Sequence, residues 1–378
     1  AVLEFADDKG LTANGTLNIL GTQDNPVQFH ALVDIGLRDG TWSGISLYGE
    51  NNSINYLEYK DATNDITGQY IHDSLFDHNM LYGRGITIDD SDSVMISNNI
   101  ITDSPQNGID ADDCEYVQIK DNTIDQFGSY GIFYDNSDYA VIEDNHITYI
   151  QDGSISATIY GIYGNPDYSA LNSTQEVRGN TVYLKRLGNN VAGNTIGIYY
   201  IRNGIIENND IKIEFPDETG WVYGYGIYGY DNVIIRNNNV DVMLVSNYST
   251  ATIYVGSGSS NSYNIVEGNI IYNHPNYSSY GEGLIINTAT TDTTEVRGNI
   301  FKGTGDYHIK VSDFAYIHHN VFELESGNNA AIYLYGSDAK ADIINNTFIG
   351  IDDASSIEAI YIYSNVNTDF VDIINNIF

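Results

Sequence analysis

Cysteine is nearly absent from this sequence of 378 residues: Cys114 stands alone, which excludes an internal disulfide framework and leaves a small residue near a turn as its simplest reading. Basic residues are scarce too, 15 against 51 acidic ones, and the formal charge of −36 would repel a nucleic-acid backbone and an anionic membrane surface alike. No apolar run reaches the roughly 18 residues that span a bilayer, so membrane insertion is not expected. The opening residues, AVLEFADDKG, lack the pattern of a signal peptide, and an exported protein would have lost its signal already. Five prolines beside 36 glycines leave little room for long amphipathic helices and supply many tight turns. What the composition offers in abundance is oxygen ligands, carboxylates and amides, which a hard cation such as calcium prefers.

The chain is long for one compact domain, and it repeats itself. Asn followed, one residue on, by Ile, Val or Phe after a short apolar strand occurs at Asn99, Asn122, Asn145, Asn180, Asn209, Asn238, Asn269, Asn299, Asn320, Asn346 and Asn376. The successive differences run from 21 to 35 residues, the size of one solenoid coil with loops of variable length. A second signal lies between these sites, in Gly85-Ile86, Gly108-Ile109, Gly131-Ile132, Gly161-Ile162, Gly197-Ile198 and Gly226-Ile227, then Ala331-Ile332 and Ala359-Ile360. Apolar residues alternate within each coil, as strands with one buried face require. Strands that recur once per coil in one direction stack in parallel. The expected fold is therefore all-β, a single-stranded right-handed parallel β-helix, or β-solenoid, of about a dozen coils. Residues 1–70 would form atypical N-terminal coils and 71–378 the regular ones, all in one continuous helix.

Two residues before each anchor Asn the sign of charge alternates over consecutive coils: Lys120, Glu143, Arg178, Glu207, Arg236, Glu267, Arg297. Stacked on neighbouring strands, opposite charges attract by about 0.2–1 kcal/mol per pair, so this column reads as a charge ladder. The anchor asparagines would form a parallel column of their own, each placed at a tight left-handed bend and hydrogen-bonded to the next coil.

The iterated V-x-I-x-(D/N/G)-N-x-I … G-I-x-Y resembles the right-handed parallel β-helix proteins of the pectate-lyase-like superfamily, in particular their carbohydrate-binding and sugar-hydrolase repeats. The N-terminal GLTANGTLNILGTQDNPVQFHA and GTWSGISLYGENNSINYLEYKDA resemble the first coils of exported prokaryotic surface β-helix proteins. Together these cover nearly the whole chain, and they specify fold rather than function, since this architecture hosts lyases, hydrolases, epimerases, adhesins and structural proteins. The resemblance implies, for an enzyme, calcium-binding aspartates with a basic residue or a cluster of catalytic aspartates. No G-H-G, R-I-K or D-P-H-D tract is present, and Asn367 to Asp369 supplies an isolated N-T-D. The stretch D-A-D-D-C, Asp110 to Cys114, resembles a hydrolase aspartate pair, but its equivalents recur in neighbouring coils.

Aligning Ile86, Ile109 and Ile132 places three acidic columns after the Gly-Ile strand: Asp89, Asp112 and Asp135; then Asp90, Asp113 and Asn136; then Asp92, Glu115 and Asp138. Stacked carboxylates repel, and either bound calcium or a solvated ridge relaxed by salt would relieve them. The eight histidines are scattered, and in the one local pair, His318-His319, adjacent strand residues would face opposite sides. Tyrosines at Tyr134, Tyr163, Tyr199, Tyr228, Tyr254, Tyr333 and Tyr361 read first as an inter-coil ladder and second as a sugar-binding stripe or subunit contact. Trp42 would pack the first coils, and Trp221 lies beside a loop. Sequons at Asn14, Asn51, Asn172, Asn247, Asn276 and Asn345 permit glycosylation.

Neither end carries an evident cap, which suggests either a fragment or ends that pair between molecules. The functional expectation is a non-enzymatic structural protein of the cell surface, a sheath, surface-layer or fibre subunit whose chief partner is itself. The alternatives are a polysaccharide-binding or lyase-like polysaccharide-cleaving protein, and an adhesin segment of a larger surface protein. No cofactor is required beyond a possible calcium ion.

Overall fold

The computed structural model describes residues 1–32, 41–152, 157–165, 174–187, 193–215, 224–244, 250–258, 261–275, 281–325, 328–350, 357–363, 365–366 and 370–378. The protein is a right-handed parallel β-helix, and among the described residues 42 strands order into three sheets of 14 strands each. Every third strand joins the same sheet, so one coil contributes one strand to each of sheets A, B and C, beginning with Val2–Phe5, Gly10–Ala13 and Asn18–Leu20 respectively. The count is 14 coils rather than about a dozen, because the first residues supply coils that lack the anchor Asn.

Contacts divide the chain into two compact units, Ala1–Tyr149 with Tyr160–Thr181, and Ile150–Ile159 with Val182–Phe378. In the first, sheet B stacks Ile45, Ile66, Ile86, Ile109, Ile132 and Ile162 in register, all buried. Sheet C does the same with Ile54, Phe76, Ile96, Ile119, Ile142 and Val177. Each such side chain removed from water contributes about 1.5–3 kcal/mol, and like residue over like residue keeps the coil cross-section constant. Trp42 is fully buried, stacks on Phe5 with centroids 4.2 Å apart, and donates its indole N–H to the Lys60 carbonyl at 2.6 Å. In the second unit, Phe301, Phe322, Phe348 and Phe378 stack ring on ring at 5.0, 4.9 and 5.0 Å.

The asparagine column is buried at the corner between sheets C and A. In the first unit the Oδ1 of each accepts both the backbone N–H and the Nδ2–H of the preceding coil's Asn: Asn99 onto Asn122 at 2.9 and 2.9 Å, Asn122 onto Asn145 at 3.0 and 3.0 Å, and Asn145 onto Asn180 at 3.0 and 3.0 Å. The second unit repeats the pattern from Asn209 through Asn238, Asn269, Asn299, Asn320 and Asn346 to Asn376, at 2.9–3.1 Å. One detail of the expectation is corrected. The left-handed bend belongs to the residue before the anchor, as at Asn98 (φ 54°), Asp121 (φ 55°) and Asp144 (φ 54°), because the anchor side chain must point inward while its neighbour turns the chain. The column also starts one coil earlier, at Asn79, which donates to Asn99 Oδ1.

Of the charge ladder, Glu143 binds both Lys120 at 3.2 Å and Arg178 at 2.7 Å, Arg236 binds Glu207 at 2.6 Å, and Arg297 binds Glu267 at 3.0 Å. Arg236 and Glu267 are register partners.

Candidate functional site

The acidic columns lie on and after the sheet-B strands Ile86–Asp89, Ile109–Asp112 and Tyr130–Asp135 of the first unit. Asp89 and Asp112 are register partners. Asp90, Asp113 and Asn136 take left-handed conformations (φ 48°, 49° and 45°), which Asn and Asp tolerate better than most residues. Asp92, Glu115 and Asp138 continue as parallel bridges. The carboxylates do not gather evenly. Among the described residues, one group of three potential ligands converges, Asp89, Asp90 and Asp113, with oxygens within 4.8 Å of one another. Between the columns Cys114 is buried, its thiol pushed up to about 12 by that burial, so it is an inert packing residue.

The feature that sequence reasoning passed over is the outward face of the same strands. Thr67, Thr87, Asp110, Phe133 and Tyr163 occupy one column. Asp110 and Asp112, two residues apart on one strand, therefore project from the same side of the sheet. Burial pushes Asp110 up to about 6, partly offset by the Asn107 amide that donates to it at 2.7 Å and reinforced by the Asp112, Asp65 and Asp89 carboxylates. Asp112 is likewise raised to about 6, by burial and then by Asp113, Asp135 and Asp89. Its Oδ1 is buried with no hydrogen-bond partner.

Over Asp110 the next two coils carry rings, whereas over Asp112 the next coil carries Asp135. Tyr130 stacks on Tyr160 with centroids 5.0 Å apart, Phe133 on Tyr163 at 5.2 Å, and Tyr130 meets Phe133 at 4.9 Å and Tyr163 at 5.1 Å. The rings form one half-exposed aromatic wall above Asp110, to which Asn107 donates, with Asp112 two residues further along the same strand. The expected tyrosine column is thus corrected by one position. Tyr134 points into the core, fully buried opposite Gly164, and Phe133 is the partner of Tyr163. The G-I-x-Y pattern hid this, because a strand's odd and even positions face opposite ways.

In the second unit, on the outward side of sheet B, Tyr199 meets Tyr228 at 4.8 Å with the rings tilted by 46°, Tyr228 stacks on Tyr254 at 4.5 Å, and Tyr333 stacks on Tyr361 at 5.3 Å. The His318-His319 expectation is overturned: His319 sits at φ 56°, outside the strand, so the two Nδ1 atoms meet at 2.8 Å while His318 Nε2 reaches Glu295 at 3.0 Å. Of the sequons, Asn14, Asn51 and Asn345 are exposed, and Asn172, Asn247 and Asn276 lie outside the described residues, as do Trp221 and the isolated N-T-D.

A family model described as periplasmic copper-binding protein (NosD) matches residues 12–183, somewhat under half of the chain. No curated protein sequence matches significantly. Similar solved structures include the Dettilon tailspike protein (gp208), at 15% identity and TM-score 0.46 over 77% of this chain, which spans 62% of that one. Others are the alginate lyase AlyF-OU02 in complex with G6, at 9% identity and TM-score 0.45 over 94% of this chain and 83% of that one, and the periplasmic alginate epimerase AlgG, at 12% identity and TM-score 0.40 over 90% and 77%. Copper does not fit the residues present. Among the described residues of the matched segment the one convergent donor group is the oxygen-only set Asp89, Asp90 and Asp113, whereas copper prefers imidazole and sulfur.

Proposed function

We propose that the protein is an exported glycan-binding β-helix whose sugar-facing surface is the sheet-B face of the first unit, with Asp110 and Asp112 placed to cleave a glycosidic bond. The observation that carries this reading is a carboxyl pair of which Asp110 lies under the aromatic wall and Asp112 beside it on the same strand. Rings offer a flat apolar surface to the C–H faces of a pyranose, while carboxylates and the Asn107 amide offer hydrogen bonds to its hydroxyls. Asp110, which burial raises to about 6, can give a proton to a leaving oxygen, and Asp112 on the same strand can serve as base or nucleophile. The periplasmic setting in the name of the matched family supports export. The self-assembling structural reading draws chiefly on regularity without a conspicuous catalytic constellation and on acidity, and the ladders that would give it resilience stabilise a solenoid whether or not it polymerises.

Asp89, Asp90 and Asp113 are proposed to take calcium as an accessory that neutralises the ridge beside this face. Calorimetric titration should show binding in the range of about 0.1–1 mM that Asp113→Asn abolishes. No calcium heat, or heat unchanged in that variant, overturns the assignment.

The cleavage proposal is tested by incubating wild type, Asp110→Asn and Asp112→Asn with a panel of neutral and acidic polysaccharides and following new reducing ends and unsaturated products. Cleavage lost in both variants, with binding kept, is the expected result. Binding without cleavage in the wild type reduces the function to recognition; turnover undiminished in both variants refutes the role of the pair.

A further inference from the structure

A second concave feature of the first unit lies away from that face, at the corner where sheet C passes into sheet A. It is a groove of about 290 Å³, at the small end of ligand clefts, lined chiefly by Gln23, Pro26, Tyr56, His78, Met80 and Ile100. One wall is a rigid turn closed by reciprocal backbone hydrogen bonds between Thr22 and Asn25, at 3.1 and 3.0 Å. Met80 and Ile100 are 38% and 42% exposed, an apolar surface that a chain of charge −36 does not otherwise need there.

At this groove the turn position just before the anchor column carries rings. In successive coils it holds Asn98, Asp121, Asp144 and Gly179, all suited to the left-handed conformation. Two coils earlier the same position holds Tyr56 (φ 53°) and His78 (φ 55°), whose rings stack with centroids 4.8 Å apart. Large rings are held here in a costly backbone conformation, as they also are at Tyr70, Tyr116, Tyr139, Tyr200 and His319, and here the stacked pair lines the groove. The charges around the groove are negative and already engaged: Glu58 binds Lys60 and accepts from Gln28 at 2.6 Å, and Asp77 accepts from His78, Ser97 and Asn98. An anionic sugar would meet two carboxylates and a lysine that is taken. A neutral one would find an apolar floor with amide and imidazole groups at its rim.

We infer that this groove is a binding subsite for one or two units of a neutral saccharide, seated against Tyr56, His78 and Met80. The inference rests on the glycan-binding reading above, but at a different place on the same unit. Because the chain has three methionines, Met80, Met95 and Met243, methyl-labelled methionine gives a three-line NMR spectrum with two built-in controls. The probes are cellohexaose, maltohexaose and mannohexaose, with hexagalacturonate as the anionic counterpart. At least one neutral probe should shift the Met80 methyl saturably, with Met243 unmoved and hexagalacturonate at least about tenfold weaker. Tyr56→Asn keeps a residue that the turn accepts in neighbouring coils, so the variant folds, and it should weaken that binding at least about tenfold. A Met80 line unmoved by every neutral probe overturns the subsite even if Tyr163→Ala shows that glycan binds the aromatic wall. An equal response to hexagalacturonate, or an unchanged one in Tyr56→Asn, refutes the charge or the stacking argument respectively.

Discussion

Replacing Asn122 by Ala tests how the solenoid is held together. Asn122 is 1% exposed and its amide makes five hydrogen bonds: Oδ1 accepts from Asn99 N and Nδ2, both at 2.9 Å, and Nδ2 donates to the carbonyls of Ile96 at 2.9 Å and Lys120 at 3.0 Å and to Asn145 Oδ1 at 3.0 Å. Asn145 Oδ1 keeps a donor in the variant, the Asn122 backbone N–H at 3.0 Å, and Asn99 Nδ2 keeps the Phe76 carbonyl at 3.0 Å. The group left bare is the Asn99 backbone N–H, since the Ile96 carbonyl keeps its sheet partner on the neighbouring strand. At about 1–3 kcal/mol for a buried unsatisfied group, the loss is about 1–3 kcal/mol. A solenoid need not unfold as one unit, so the assay is hydrogen exchange with a denaturant midpoint alongside, and faster exchange should centre on the coils around Asn99 and Asn145. Lys120→Ala, which removes one partly exposed ion pair, is the matched control and should cost under about 1 kcal/mol. Equal, small effects in both variants would refute the idea that the column carries the fold.

Gly131→Ala should destabilise the first unit by about 1–3 kcal/mol, since the added methyl would lie 2.6 Å from the Gly161 carbonyl oxygen and 2.6 Å from Ile147 Cγ2; an unchanged melting midpoint would contradict this. His308 is fully buried between Phe301 and Phe322, and burial lowers it to about 4, partly offset by its hydrogen bond to the Glu323 carbonyl. A base whose folded value lies below its unfolded one of about 6.5 binds protons preferentially in the unfolded chain, so its contribution is complete above that value and fades as pH falls toward 4. The gap corresponds to about 3 kcal/mol, read as a stability slope between pH 6.5 and 4 that His308→Phe should remove.

Much of this architecture can be read from residues alone, because stacking forces like onto like. Aligning Ile86, Ile109 and Ile132 by their glycines reproduces the register that the sheet adopts. The errors have local causes. Asn79 escaped the anchor rule because Leu81, not Ile, Val or Phe, follows it, and one coil earlier Leu57 takes the place of the Asn, its N–H donating to Asn79 Oδ1 at 2.9 Å. Tyr134 and Phe133 are adjacent, so a pattern that tolerates one extra residue places the wrong ring outside. His319 looked like a strand residue until its positive φ put it in the turn. The site was least legible. The sequence shows Asp110 two residues before Asp112, but not that burial raises both carboxyls or that four rings from the next two coils meet above Asp110.

The most direct test of the glycan-binding account is equilibrium binding of the polysaccharide panel by wild type, Phe133→Ala and Tyr163→Ala, with folding of each variant verified by circular dichroism. The account predicts that at least one glycan binds the wild type and that each substitution weakens it by about tenfold or more, the scale of losing one stacked ring. Absence of binding across the panel, or affinity unaltered in both variants, would contradict it.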